Sequence, residues 1–155
     1  MLRPARLKAI PGRTDPARPA RYVVDEQVGF LMRVATQRHT AIFMSRIVEG
    51  LTPTQFAALA KLLEVGACSQ NHLGRLIYLD GATIKGVVDR LRARRLVTTQ
   101  NDPQDKRRHA IALTEAGRRV AEAAVAIAAR ITAETLAPLT QDEQRTVLRL
   151  LKKLG

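Results

Sequence analysis

The tightest constraint on this chain is the stretch from residue 69 to residue 114, SQNHLGRLIYLDGATIKGVVDRLRARRLVTTQNDPQDKRRHAIALT. Ser69 is a natural N-cap, and Leu73, Leu76 and Ile77 give the helix behind it an apolar side at i, i+3, i+4 spacing. Asp80 caps a second helix whose inner face is Ile84, Val87, Val88 and Leu91. Gly81 and Ala82 leave that helix's first turn nearly bare, open to a phosphate or a base edge at the backbone. Two β-prone runs follow, Leu96 to Thr99 and His109 to Leu113, separated by a segment with an Asp-Pro turn signal. Helix, tight turn, helix and basic hairpin in that order make a DNA reader.

Charge supports the same reading. Lys and Arg number 26 against 14 acids, a net +12. Residues 1 to 21 carry six basic groups and one acid, and residues 85 to 108 carry eight and three. Nearly all of the excess therefore sits in one tail and in the reading head, where it favours a polyanionic partner. The absence of Trp and the scarcity of aromatics disfavour a stacking platform for single strands. No apolar run reaches the ~20 residues of a membrane span, so no membrane partner is expected. The single cysteine, Cys68, excludes an internal disulfide and, with no secretory signal, fits a cytoplasmic protein. The histidines (39, 72 and 109) share no metal-ligand spacing with Cys68, and no nucleophile elbow or phosphate loop is present. Neither a cofactor nor catalysis is expected.

Around the reading head the chain is helical. Residues 1–22 hold four of the seven prolines and scattered arginines without a period, and read as a basic flexible arm. From about 24 to 48 the pattern is one long helix, with Asp25 and Glu26 at its positive end and apolar residues on more than one stripe. Thr52-Pro53-Thr54-Gln55 is a capping box with Pro at the first helical position, and Thr140-Gln141-Asp142-Glu143 is a second. Between them, an alanine-rich helix runs over about 115–137 until Pro138. The expected architecture is mainly α with a small β-wing: a winged helix-turn-helix of six helices. Its DNA-binding lobe spans about 52–114. The helices at 24–48, 115–137 and 140–154 form a dimerisation platform within a single domain, 23–155. Helical segments at both ends argue for a homodimer.

These residues resemble the MarR-type winged-helix transcriptional regulators. The similarity covers roughly residues 25 to 154. It rests on LTPTQFAALAKLLEVG, SQNHLGRLI, DGATIKGVVDRL and DPQDKRRHAIALTEAG, most specifically Asp105-x-Arg107 followed by Leu113-Thr114-x-x-Gly117. The resemblance implies a ligand-responsive repressor, a homodimer on a pseudo-palindromic double-stranded operator. Gly81, Ala82, Thr83, Lys85, Gly86 and Arg90 would face the major groove, with Lys85 and Thr83 suited to base edges and Arg90 to the backbone. Ser69, Gln70 and His72 would position phosphates. Arg107 would enter the minor groove, oriented by Asp105, while Lys106 and Arg108 add backbone contacts. Two departures stand out. Arg92 and Arg95 replace a Glu and a Gly of the family, so the helix end lacks an inexpensive left-handed cap, and Thr99 stands where a wing arginine is frequent.

The resemblance also implies an effector, a small aromatic carboxylate or its CoA thioester, in a cleft between platform and reading heads. Phe30, Arg33, Arg38, His39, Phe43 and Phe56, on helices 1 and 2, are the candidate contacts. Arg38 is the carboxylate clamp if it does not pair with a neighbouring helix. The rival functions are a redox sensor through Cys68, whose place before a helix N-terminus would lower its pKa, a constitutive architectural DNA binder, and a protein-interaction module without DNA binding.

Overall fold

Among the described residues, five of the six α-helices begin on a side-chain oxygen that accepts a backbone N–H: Thr52, Ser69, Asp80, Thr114 and Thr140. In a computed structural model, which describes residues 22–101 and 109–155, the elements in order are α1 (Val28–Arg46), α2 (Pro53–Val65), β1 (Cys68–Ser69), α3 (Gln70–Leu76), α4 (Gly81–Ala93), β2 (Val97–Asn101), β3 (His109–Leu113), α5 (Glu115–Leu136) and α6 (Gln141–Leu154). The capping boxes at Thr52–Gln55 and Thr140–Glu143 are both reciprocal. The basic arm, residues 102–104 and the wing-tip candidates Asp105, Lys106, Arg107 and Arg108 lie outside the described residues.

The first helix departs from expectation. Val24–Glu26 forms a separate 3-10 turn, and Gln27 is extended (φ −85°, ψ 135°), so Asp25 and Glu26 sit on that turn rather than at the end of α1. The Gln27 side chain donates to the Val23 carbonyl at 3.0 Å, an alternative to helix continuation that a polar side chain supplies locally. At its other end α1 gives way to a corner in which Glu49 and Gly50 both take left-handed φ, 58° and 57°.

The strands form an antiparallel sheet of order β1-β3-β2, with Cys68 opposite Ile111 and Val97 opposite Leu113. β1 is two residues long, too short for any period to announce it. The core lies between this sheet and the helices: Leu59 and Leu62 of α2, Leu73 of α3, and the Ile84, Val87, Val88, Leu91 face of α4 are fully buried together with Ala121 and Ala124 of α5. The small residues of α5 permit close approach. A Cβ on Gly117 would stand 1.8 Å from the Leu96 carbonyl oxygen, so the first turn of α5 seats directly on the corner after α4. At that corner Arg95 has φ 58°. The left-handed conformation that glycine would adopt freely is imposed on an arginine, because Leu96 behind it is buried and its N–H closes on the Leu91 carbonyl at 3.0 Å.

Candidate nucleic-acid interface and adjoining cleft

The face of α4 turned away from its buried stripe presents Ala82, Thr83, Lys85, Gly86 and Arg90, all but half-buried Gly86 exposed. Its first turn is not bare. The Asp80 carboxylate accepts the N–H groups of Ala82 (3.0 Å) and Thr83 (2.9 Å), and the Thr83 hydroxyl donates to its second oxygen at 2.6 Å. These bonds, the Thr83 hydroxyl foremost, hold the Asp80 carboxyl below its ordinary 3.8. The backbone expected to be open is thus occupied at Ala82 by an acidic cap, which a negative phosphate would meet.

Side chains of this face pair with acids. Lys85 Nζ lies 2.7 Å from Asp89 one turn on, and Arg92 lies 2.9 Å from the same carboxylate and 3.0 Å from the Thr99 hydroxyl. Asp89 is shifted below the ordinary carboxylate value, first by the Lys85 hydrogen bond. Such exposed pairs are weak, so a nucleic acid can exchange for them at small cost. Arg90 folds back along the helix: its guanidinium lies 3.4 Å from where a Gly86 Cβ would be, so Gly86 leaves the space that Arg90 fills.

The other predicted phosphate positioners are placed less uniformly. His72 is exposed, and its ring nitrogen is 3.4 Å from Arg75. Ser69 is half-buried, paired with Ala110 in the sheet, and spends its hydroxyl on the His72 N–H at 3.2 Å. Gln70 is half-buried. Thr99, which stands where the family often has a wing arginine, accepts from Arg92 of α4.

A cavity of about 570 Å³ opens between α1, the C-terminal end of α5 and α6. The sequence candidates divide around it. Arg38 and His39 line it, and each reaches across 96 residues: Arg38 donates to the Glu134 carbonyl at 3.2 Å, and His39 Nδ1 is 2.9 Å from the Thr135 hydroxyl. Phe43, 4% exposed, packs edge-on to Phe56 at 5.7 Å, so both serve the packing of α1 on α2 and not the cavity. Phe30 and Arg33 stack on each other at 4.9 Å and do not line the cavity. This cavity therefore pairs α1 with α5 and α6 and not with α2: its opposite wall comes from Thr132, Thr135, Leu139, Val147 and Leu151. The threonines interrupting an alanine-rich helix were the signal in the sequence.

Cys68 is free and half-buried opposite Ile111, and burial pushes its thiol above the ordinary 9.0. This shift runs opposite to the lowering expected from the helix terminus, and a thiol raised in this way is less readily the thiolate that peroxide attacks. Among the described residues no His, Cys, Asp and Glu cluster is arranged for a metal, and no helix is long and apolar enough to cross a membrane.

Comparison with known proteins bears on the same elements. The MarR family model matches residues 49–108, from the corner before α2 through the segment after β2. The HTH-type transcriptional repressor NicR of Pseudomonas putida is 41% identical over 134 residues, 86% of this chain and 85% of that protein. The chain belongs to the MarR family. It shares with that family of DNA-binding transcriptional regulators, which are not enzymes, the winged helix-turn-helix fold. A probable transcriptional regulator from Pseudomonas aeruginosa superposes with a TM-score of 0.82 at 50% identity, covering 86% of this chain and 100% of that one. BpsR of Bordetella bronchiseptica, whose DNA binding is regulated by 6-hydroxynicotinic acid, superposes at 0.81 with 40% identity over 87% and 97% of the two chains.

Proposed function

We propose that this MarR-family chain is a repressor that grips a pseudo-palindromic operator as a homodimer and releases it when a small aromatic carboxylate enters the α1–α5–α6 cavity. The observation that carries the reading is the cavity itself: apolar walls with a guanidinium and an imidazole, Arg38 and His39, on one side. Its volume lies in the range of small-molecule sites, and a ring with one carboxylate matches its chemistry. The regulation of BpsR by a hydroxylated pyridine carboxylic acid supports the same ligand class. Arg38 spends one contact on a helix-end carbonyl and keeps donors for a carboxylate.

The homodimer is supported by what the single chain leaves uncovered. α6 has no buried residue, and Leu148, Leu150, Leu151 and Leu154 are exposed. Val28, Leu31, Met32 and Val34 of α1 are exposed as well. Apolar surface of this extent on two terminal helices calls for a partner, and a second copy brings the same surface. Two α4 helices then address successive major grooves, ~34 Å apart.

The experiment is operator binding with and without 6-hydroxynicotinic acid, its benzoate analogues and their CoA thioesters. Arg38→Ala is expected to keep operator affinity and to lose most of the ligand-induced release. A variant that responds as wild type does would remove Arg38 from the site. Response to thioesters alone would replace the free acid as effector.

A further inference from the structure

The C-terminal end of the recognition helix is tied to the corner between α1 and α2 by a contact the sequence gives no sign of. Arg94, the C-cap of α4, donates to the Glu49 carbonyl at 2.7 Å and lies 3.7 Å from the Glu49 carboxylate. Glu49 and Gly50 form the left-handed corner between α1 and α2. That corner is strained at Glu49, since a residue with a Cβ occupies αL at a cost of about 1 kcal/mol. From the other side, the Thr114 hydroxyl donates to the Arg95 carbonyl at 2.7 Å, and the Thr114 N–H to the Leu96 carbonyl at 3.1 Å. Gly117 brings the first turn of α5 against that Leu96 carbonyl. The end of α4 is thus held between the foot of α1 and the head of α5.

We infer that Arg94 is a positioning residue that fixes the tilt of the recognition helix against α1, and through it the separation of the two reading heads. The inference rests on the homodimeric reading above. Arg94 is only 32% exposed at its side chain, and its guanidinium is turned onto the backbone of another element. A cation serving a phosphate would be free to point outward. A hydrogen bond to a backbone carbonyl is more directional than a solvated charge pair, so it couples the α1–α2 corner to the end of α4. A ligand that moves α1 through Arg38 and His39 acts on the same connection.

The test uses the full-length chain and a duplex operator selected by that chain from a random-sequence pool. The operator is then remade with one base pair added or removed between the half-sites, displacing them by about 3.4 Å. Wild type is expected to discriminate between spacings by about tenfold or more, the size of a mismatched position. Arg94→Ala should reduce that ratio to about threefold or less while still binding the native spacing, because each head keeps its own contacts. Arg94→Lys, which can still donate to the corner, should recover most of the ratio. If Arg94→Ala weakens binding equally at every spacing, Arg94 is a phosphate contact or a stability residue and the inference is overturned. Equal binding of all spacings by wild type would overturn the homodimeric reading as well.

Discussion

The reading head and the terminal helices use similar apolar content in opposite ways. In the head, Leu59, Leu73, Ile84, Val87, Val88 and Leu91 are at most 1% exposed, packed against one another and against α5. In α6, whose leucines recur at the same helical spacing, no residue is buried, and α1 buries only Phe43. A helix hydrophobic on one side is half of a contact. The head finds its other half within the chain; the terminal helices leave theirs open. The cavity bordered by Arg38 and His39 lies against that open side, so the proposed effector would sit where it can alter how the two proposed subunits meet.

The contrast can be broken first at the joint between the regions. Gly117→Ala drives a methyl into the Leu96 carbonyl, backbone against backbone with no flexible side chain to yield. Loss of about 4 kcal/mol or more is expected, seen as failure to accumulate folded protein or a steep fall in denaturation midpoint. A loss below ~1 kcal/mol would mean that α5 and the α4–β2 corner slide apart readily.

Next comes the asymmetry itself. Leu91→Ala in the head should cost about 2–5 kcal/mol in chemical denaturation. The exposed pair Leu148→Glu and Leu151→Glu should leave the secondary structure of the chain in place and convert the sedimenting species to single subunits. A double variant that still sediments as wild type does would place the dimer contact elsewhere.

Smaller effects sharpen the account of the head. Tyr78, 87% exposed in the turn before α4, has φ 57° and makes its turn at the expense of strain. Tyr78→Gly should stabilise the fold by about 1 kcal/mol in thermal or denaturant unfolding, and a loss instead would show that the ring contributes contacts. The Asp80 cap should carry a pH signature. Its folded-state carboxyl lies below the ordinary 3.8, so in that acidic window the unfolded chain binds more protons than the folded one. The stability it confers is present above that range and declines as pH falls through the folded value. Asp80→Asn, which caps without titrating, should flatten this part of the acid melting profile and change little between pH 6 and 8. A steeper decline in the variant would reverse the assignment.

How much could be read in advance follows the range of the forces. The α4 core face was legible because four apolar positions at helical spacing have one way to be buried. Similarity to a known family supplied the candidate reading residues, and the structure adds their surroundings: Thr83 and Lys85 are engaged by Asp80 and Asp89, and Asp80 takes the Ala82 N–H. The far wall of the cavity escaped notice because it comes from residues nearly a hundred positions from Arg38. Arg95 was judged a poor substitute for glycine on local grounds, yet it takes the left-handed corner, since burial of Leu96 outweighs a strain of about 1 kcal/mol.

The amino-acid order by itself determined where helices start, which faces are apolar and where positive charge collects, because caps and periodicity act over three or four residues. Only the tertiary structure decided that Arg38 and His39 share a cavity with α6, that Cys68 lies half-buried in a two-residue strand, and that Arg94 grips the corner after α1. Those outcomes depend on which distant segments come to lie side by side, and no short-range preference of the backbone specifies that.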